Sequence, residues 1–236
     1  MSNSFDPITR NASSGIDIDA GLRAHMQRVY NLMALGLSLT GLTAYLTSQS
    51  PAMMNLIFSG PQCYLVMFAP FIMAMFLMAR LEKMSFASAQ TLFWVYAGTM
   101  GLSLSCIFLA YTGQSIVKVF FITAGMFAGT SLYGYTTKTD LSKFGSFLFM
   151  GLLGIIIASV VNLFMQSGPM QIAISILAVL IFTGLTAYDT QMIKEWYYAN
   201  DDGETAGKKA LLGALNLYMD FLNMFLHMLR LFGDRR

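Results

Sequence analysis

The chain has 236 residues, of which 56% are hydrophobic and only 11% charged, against roughly 25% charged in soluble domains. Its formal net charge is +2, and the basic residues are too few and scattered to form a nucleic-acid surface. This composition excludes a soluble globular domain and indicates an integral membrane protein, in which 19 Met and 19 Phe suit irregular packing between lipid-bathed helices.

Residues 1–25 are polar and lack the basic-then-apolar pattern of a cleaved signal, so they are expected to form a mobile cytoplasmic tail. Seven apolar segments follow, at about 29–47, 61–79, 86–111, 115–136, 144–166, 169–198 and 210–232. Several reach the ~18 residues needed to cross a hydrocarbon core. No repeat is present, so residues 26–236 are expected to form one all-α domain, a polytopic membrane bundle of seven transmembrane helices. With the amino terminus inside, the cytoplasmic segments carry ten Lys and Arg; the other side carries four, Lys118, Arg230, Arg235 and Arg236. The positive-inside rule therefore favours a cytoplasmic amino terminus. Seven crossings place Arg235 and Arg236 outside against that rule, a conflict that a final segment dipping in and returning would remove. Pairs of small residues, Gly98 with Gly101, Gly125 with Gly129 and Gly151 with Gly154, are expected to let helix backbones approach closely. Cys63 and Cys106 lie in apolar segments without ligand-spaced partners, as ordinary small residues rather than a disulfide or zinc site.

Two carboxylates lie where charge is expensive. Asp189 and Asp220 each sit inside a segment long enough to span the bilayer, at a cost of about 2.5 kcal/mol or more per charge. Such a group requires a partner. Asp189 lies seven residues before the aromatic belt formed by Trp196, Tyr197 and Tyr198, hence ~10 Å below it. Asp220 lies ten residues into its own segment from the same side, hence ~15 Å deep. Their depths converge, and each is the other's most plausible partner. On the last segment Asn216, Asp220, Asn223 and His227 fall within an arc of roughly 60°, with Arg230 near its edge. A polar stripe of this kind turns away from lipid toward the bundle interior or an aqueous cavity, which makes the seventh helix central. Blander readings exist for each residue. Asp189 could bond Thr186, Tyr188 or Gln191; His227 could be a hydrogen-bonded packing residue; Arg80 could be a snorkelling anchor or a counter-ion for the pair.

At these residues the sequence resembles the transmembrane Bax-inhibitor-motif family. The resemblance rests on Leu217-Tyr218-Met219-Asp220-Phe221-Leu222-Asn223-Met224-Phe225 with Asn216 before it, on Ala187-Tyr188-Asp189-Thr190-Gln191-Met192-Ile193-Lys194, and on Gly134-Tyr135-Thr136-Thr137-Lys138-Thr139-Asp140-Leu141-Ser142. It implies a bacterial inner-membrane protein in which six helices enclose a central seventh, and an aspartate dyad, here Asp189 and Asp220, that gates a calcium-permeable path. Arg80 corresponds to the family's second-helix arginine. An acidic residue found within that helix in some members has no counterpart, since residues 64–79 are uncharged.

The leading expectation is a passive, pH-regulated calcium leak with no cofactor, calcium being the transported ion. Asp189 and Asp220 would hold it transiently, with Asn216 and Asn223 as further oxygen donors. An alternative is a regulatory protein that binds a membrane protease or another membrane partner. Paired membrane aspartates also describe presenilin-like intramembrane proteases, but Leu217-Tyr218-Met219 replaces the Gly-x-Gly that precedes their second aspartate. No enzyme is expected.

Overall fold

A computed structural model describes the backbone of residues 7–236 and the side chains from Ala20 onward. Residues 1–6 of the expected tail lie outside that range. From Pro7 the chain is already helical, and α1 (Pro7–Ser48) runs without a break past residue 25. Proline occupies its first position, where a missing N–H costs nothing, and no proline follows inside the helix.

The remaining elements are α2 (Pro51–Phe58), α3 (Gln62–Arg80), a 3-10 turn (Leu81–Lys83), α4 (Phe86–Leu104), α5 (Ile107–Ala110), α6 (Gly113–Thr136), α7 (Ser142–Met165), α8 (Gly168–Glu195) and α9 (Gly203–Phe232). Most loops hand over to the next helix through a polar cap. Ser50, Ser85, Thr112, Ser167 and Asp202 each accept a hydrogen bond from a backbone N–H one turn on, an arrangement worth about 1 kcal/mol per helix start. The stretch between the first two apolar segments thus contains α2, and the third apolar segment breaks into α4 and α5 at Ser105–Cys106.

Among the described residues six helical segments are long and apolar enough to cross a membrane: Ala20–Ser48, Gln62–Lys83, Phe86–Ala110, Gly113–Thr136, Ser142–Met165 and Gly168–Glu195. The expected seventh, α9, is the longest helix after α1 at 30 residues, but its polar stripe and charged first turns remove it from that apolar set. Its environment differs accordingly. Sixteen residues of α9 are buried, against two in the 24-residue α7. Helix α9 packs against α8, α1, α6 and α4, whereas α3 packs mainly on α4 and α7 on α8. The polar helix is therefore the core of the bundle. The outer faces of α3 and α7 present apolar side chains such as Phe71, Phe147 and Phe164.

The two ends of α9 lie at opposite ends of the bundle. Near its start, Lys208 donates to the Glu82 carbonyl beyond α3 at 3.4 Å. After its end, Asp234 and Arg236 bond backbone to backbone with Thr112 and Ala110 at 3.0 and 3.1 Å. The helix is continuous and does not dip and return.

The closest backbone approach joins α6 to α8. A Cβ on Gly134 would collide with the Ala187 carbonyl, and one on Gly101 would lie 2.6 Å from the Thr40 carbonyl oxygen in α1. Gly151 meets the Ile181 side chain, whereas Gly98, Gly125, Gly129 and Gly154 face open space. Close approach thus uses only one residue of two of the expected pairs, and neither residue of Gly125 and Gly129.

Candidate functional site

Helix α8 offers two faces near its carboxyl-terminal end, around residues 186–191. On one, Gln191 clamps the turn after α6, donating to the Thr139 carbonyl at 2.9 Å and accepting from the Leu141 N–H at 2.7 Å. Beside it, Thr190 donates to the Thr186 carbonyl, which leaves Ser131 to donate to Thr190 (2.8 Å) and Tyr30 to donate to Ser131 (2.7 Å). That chain of hydroxyls ties α1, α6 and α8 together. Thr186 bonds back to the Phe182 carbonyl. Thr186 and Gln191 are thus committed elsewhere, and Asp189 turns to the opposite face.

That face borders a cavity of about 980 Å³ between α7, α8 and α9, closed at one edge by Phe71 of α3. Asp189, from α8, and Asp220, from α9, both line it, so the two carboxyl groups neighbour each other on one wall. Asp189 is half-buried; Asp220 is 5% exposed. The Oδ2 atom of Asp220 is buried and meets no hydrogen-bond donor among the described residues. Asn216, Asn223, His227 and Arg230 line the same space, so the stripe read from helical periodicity faces one cavity. Asn223 donates from Nδ2 to the Met219 carbonyl at 2.8 Å, leaving its carbonyl oxygen free. His227 lies with Nδ1 3.3 Å from the Ser175 hydroxyl and its ring stacked on Phe182. It is a hydrogen-bonded packing residue that also forms part of the wall.

Arg80 stands apart. It is exposed at the end of α3 with its guanidinium 6.0 Å from the Phe76 ring centroid, and no carboxylate lies within 4.0 Å of it among the described residues. The expected counter-ion is not at the pair, because α3 packs mainly on α4 and borders the cavity through Phe71, well before its end at Arg80. The cation that shares the cavity is Arg230. Tyr188, Ser146 and Ser159 also line the wall, and no periodicity in α7 singled out the two serines.

The chemistry available is oxygen coordination in a sheltered cavity. Two carboxylates and two amide carbonyls are hard ligands of the kind calcium takes. Among the described residues no group of three or more His, Cys, Asp or Glu gathers at one point.

The sequence comparisons agree with this architecture. The family model described as inhibitor of apoptosis-promoting Bax1 matches residues 22–236. The chain is 44% identical over 221 residues to the inner membrane protein YbhL of Escherichia coli, covering 92% of this chain and 94% of that one. It is 45% identical over 218 residues to protein RP147 of Rickettsia prowazekii, covering 92% of both, and 46% identical over 213 residues to a protein of Borreliella burgdorferi, covering 89% of this chain and 92% of the other. A helical membrane bundle built around a buried polar helix, matched over almost its whole length by these relatives, is a member of the Bax inhibitor-1 family.

Proposed function

We propose that this protein is a passive, pH-regulated calcium leak in which α9 is a seventh, enclosed span and Asp189 and Asp220 form the gate. The observation that carries the reading is the placing of both carboxyls on one cavity, with a buried oxygen of Asp220 that meets no donor among the described residues. Two carboxyls in contact attract each other only through a proton held between them. While held, that proton ties α8 to α9 and keeps the cavity shut. Its loss leaves two like charges that push the helices apart and attract a divalent cation. Flux therefore rises with pH, and the titration belongs to the pair.

Other titratable groups contribute little to such a response. Asp140 and Asp202, in the turns before α7 and α9, are held below the usual carboxylate range by hydrogen bonds from Ser142 and Thr205, so both stay ionised throughout the neutral range. Facing the pair, α9 contributes His227 and Arg230, α8 contributes Tyr188, and the cavity walls from α3 and α7 carry no titratable side chain.

The test is calcium efflux from proteoliposomes holding only this protein, between about pH 5.5 and 8.5. Wild type should leak faster as pH rises. Asp189→Asn and Asp220→Asn should each flatten that response, while His227→Gln, which removes an imidazole from the same wall, should leave the midpoint in place. An unchanged profile in both Asn variants would overturn the gate, and wild-type vesicles that retain calcium at every pH would overturn the leak.

A further inference from the structure

The cavity that holds the carboxylates does not end at His227. A second recess of about 390 Å³ opens beside the turn between α7 and α8 and shares two wall residues with the first, Ser159 and Arg230. Its wall is polar in a region otherwise built of apolar side chains: Asn162 and Gln166 from the end of α7, Gln171 from the start of α8, and Arg230 from α9. Local backbone geometry fixes this wall. Gln166 ends α7 in the left-handed conformation at φ 51°, and the Asn162 side chain accepts the Ser167 N–H at 3.0 Å. Arg230 lies ten residues beyond Asp220 on the same stripe, ~15 Å along the axis. It is exposed, and no carboxylate lies within 4.0 Å of it among the described residues. The other residues of the recess are uncharged, and the nearest titratable neighbour on its own helix is His227, one turn inward.

From this juxtaposition we infer that Arg230 is a fixed positive charge at the junction of the cavity and the outer recess, where it slows cation passage and penalises divalent more than monovalent ions. The inference rests on the leak reading and specifies its exit: from the carboxylates past Arg230 into the recess lined by Asn162, Gln166 and Gln171. An uncompensated guanidinium raises the energy of a passing cation in proportion to the ion's charge. Removing it accelerates calcium by the square of the factor for potassium, for instance about tenfold against about threefold. The charge is the property that matters, so lysine should substitute for arginine where glutamine does not.

The experiment compares calcium and potassium efflux from proteoliposomes carrying wild type, Arg230→Gln, Arg230→Lys and Lys118→Gln. Lys118 is exposed at the start of α6 and outside both cavities, and serves as the control for an unrelated charge. Arg230→Gln should raise both rates, calcium more steeply, whereas Arg230→Lys and Lys118→Gln should behave as wild type. A further variant, Arg230→Cys in a Cys63→Ala, Cys106→Ser background, guards against a leak caused by misfolding. A cationic thiol reagent should return it to the slow rate, and a neutral reagent of similar size should not. Equal acceleration of the two ions, no acceleration in Arg230→Gln, or failure of the cationic reagent to slow Arg230→Cys would each overturn the inference while leaving a pH-dependent wild-type leak intact. Wild-type vesicles that release no calcium would overturn both.

Discussion

Thr40 has two carbonyl acceptors for its hydroxyl proton, Gly36 and Ala97, both 2.9 Å away, whereas among the described residues the Tyr218 hydroxyl meets no acceptor but Thr40. Tyr218, 2.6 Å from the same oxygen, must therefore be the donor of their shared bond. This asymmetry yields a prediction. Tyr218→Phe deletes a donor and leaves Thr40 with its carbonyl partner, so it should cost only about 0.5–1 kcal/mol. Thr40→Val strands a buried tyrosine hydroxyl and should cost about 1–3 kcal/mol. Thermal melts in detergent would check the order, and a larger loss from Tyr218→Phe would reverse the donor assignment. Neither variant should move the pH midpoint of flux, since Tyr218 packs toward Phe93 and Tyr96 of α4 and lies outside the cavity wall. The contrast with its neighbour Asp220 shows what was legible at this scale. The depth of Asp189 and Asp220 follows from a fixed rise per residue, so their meeting could be counted from Trp196 and from Ala210. The partner of Arg80 could not be counted. A long flexible side chain at a helix end reaches several ways, and the packing of α3 on α4 decides which.

For the helices, sequence spacing shows where small residues are but not which side of the helix meets another. Gly125 and Gly129 have the spacing of a packing motif and face open space, whereas Gly134, five residues on, is pressed against the α8 backbone at Ala187. The distinction is measurable. Gly134→Ala puts a methyl group into a carbonyl that cannot rotate away, so α6 must separate from α8, and the cost should reach about 1–3 kcal/mol or more. Gly129→Ala meets nothing and should be neutral or stabilising by about 0.5–1 kcal/mol through helix propensity. Unfolding in mixed detergent should rank the two accordingly. Because Ala187 lies two residues before Asp189, Gly134→Ala should also disturb the pH response of flux, which Gly129→Ala should leave untouched. Equal effects from both would mean that this contact does not hold the carboxylate in place. Other elements escaped the sequence reading for an identifiable reason. Helix α2 was announced only by Ser50 before Pro51, a cap followed by a first-turn proline, in a stretch too short to count among the apolar segments. The outer recess depends on the turn at Gln166, whose left-handed backbone no apolar periodicity encodes.

Across the whole molecule, the position of the carboxyl terminus decides whether α9 crosses the bilayer. Hydropathy leaves this open, since α9 falls outside the six apolar spans. Its ends supply the argument. It starts beside Glu82, on the side where α3 ends and α4 begins, and its last residues pair with the 110–115 connection where α6 begins. Helix α6 (Gly113–Thr136) is itself a candidate span, and α9 runs beside it between the same two ends. This placement predicts that α9 crosses as well, its polar residues tolerated because neighbouring helices and a cavity surround them. The basic count predicts a cytoplasmic α8–α9 loop, which would place Arg235 and Arg236 outside. Their backbones are fixed there by the Tyr111 and Ala110 connection, which offsets the modest bias of two basic residues at the very end of the chain. In a Cys63→Ala, Cys106→Ser background, Arg236→Cys should react with an impermeant thiol reagent in intact cells. Gly203→Cys, at the first residue of α9, should react only after permeabilisation. If both react from the same side, α9 does not cross, and the cavity lined by Asp189 and Asp220 cannot connect the two faces of the membrane. If both labels exchange sides, the crossing stands and the orientation reverses, so that the proposed gate opens toward the other compartment.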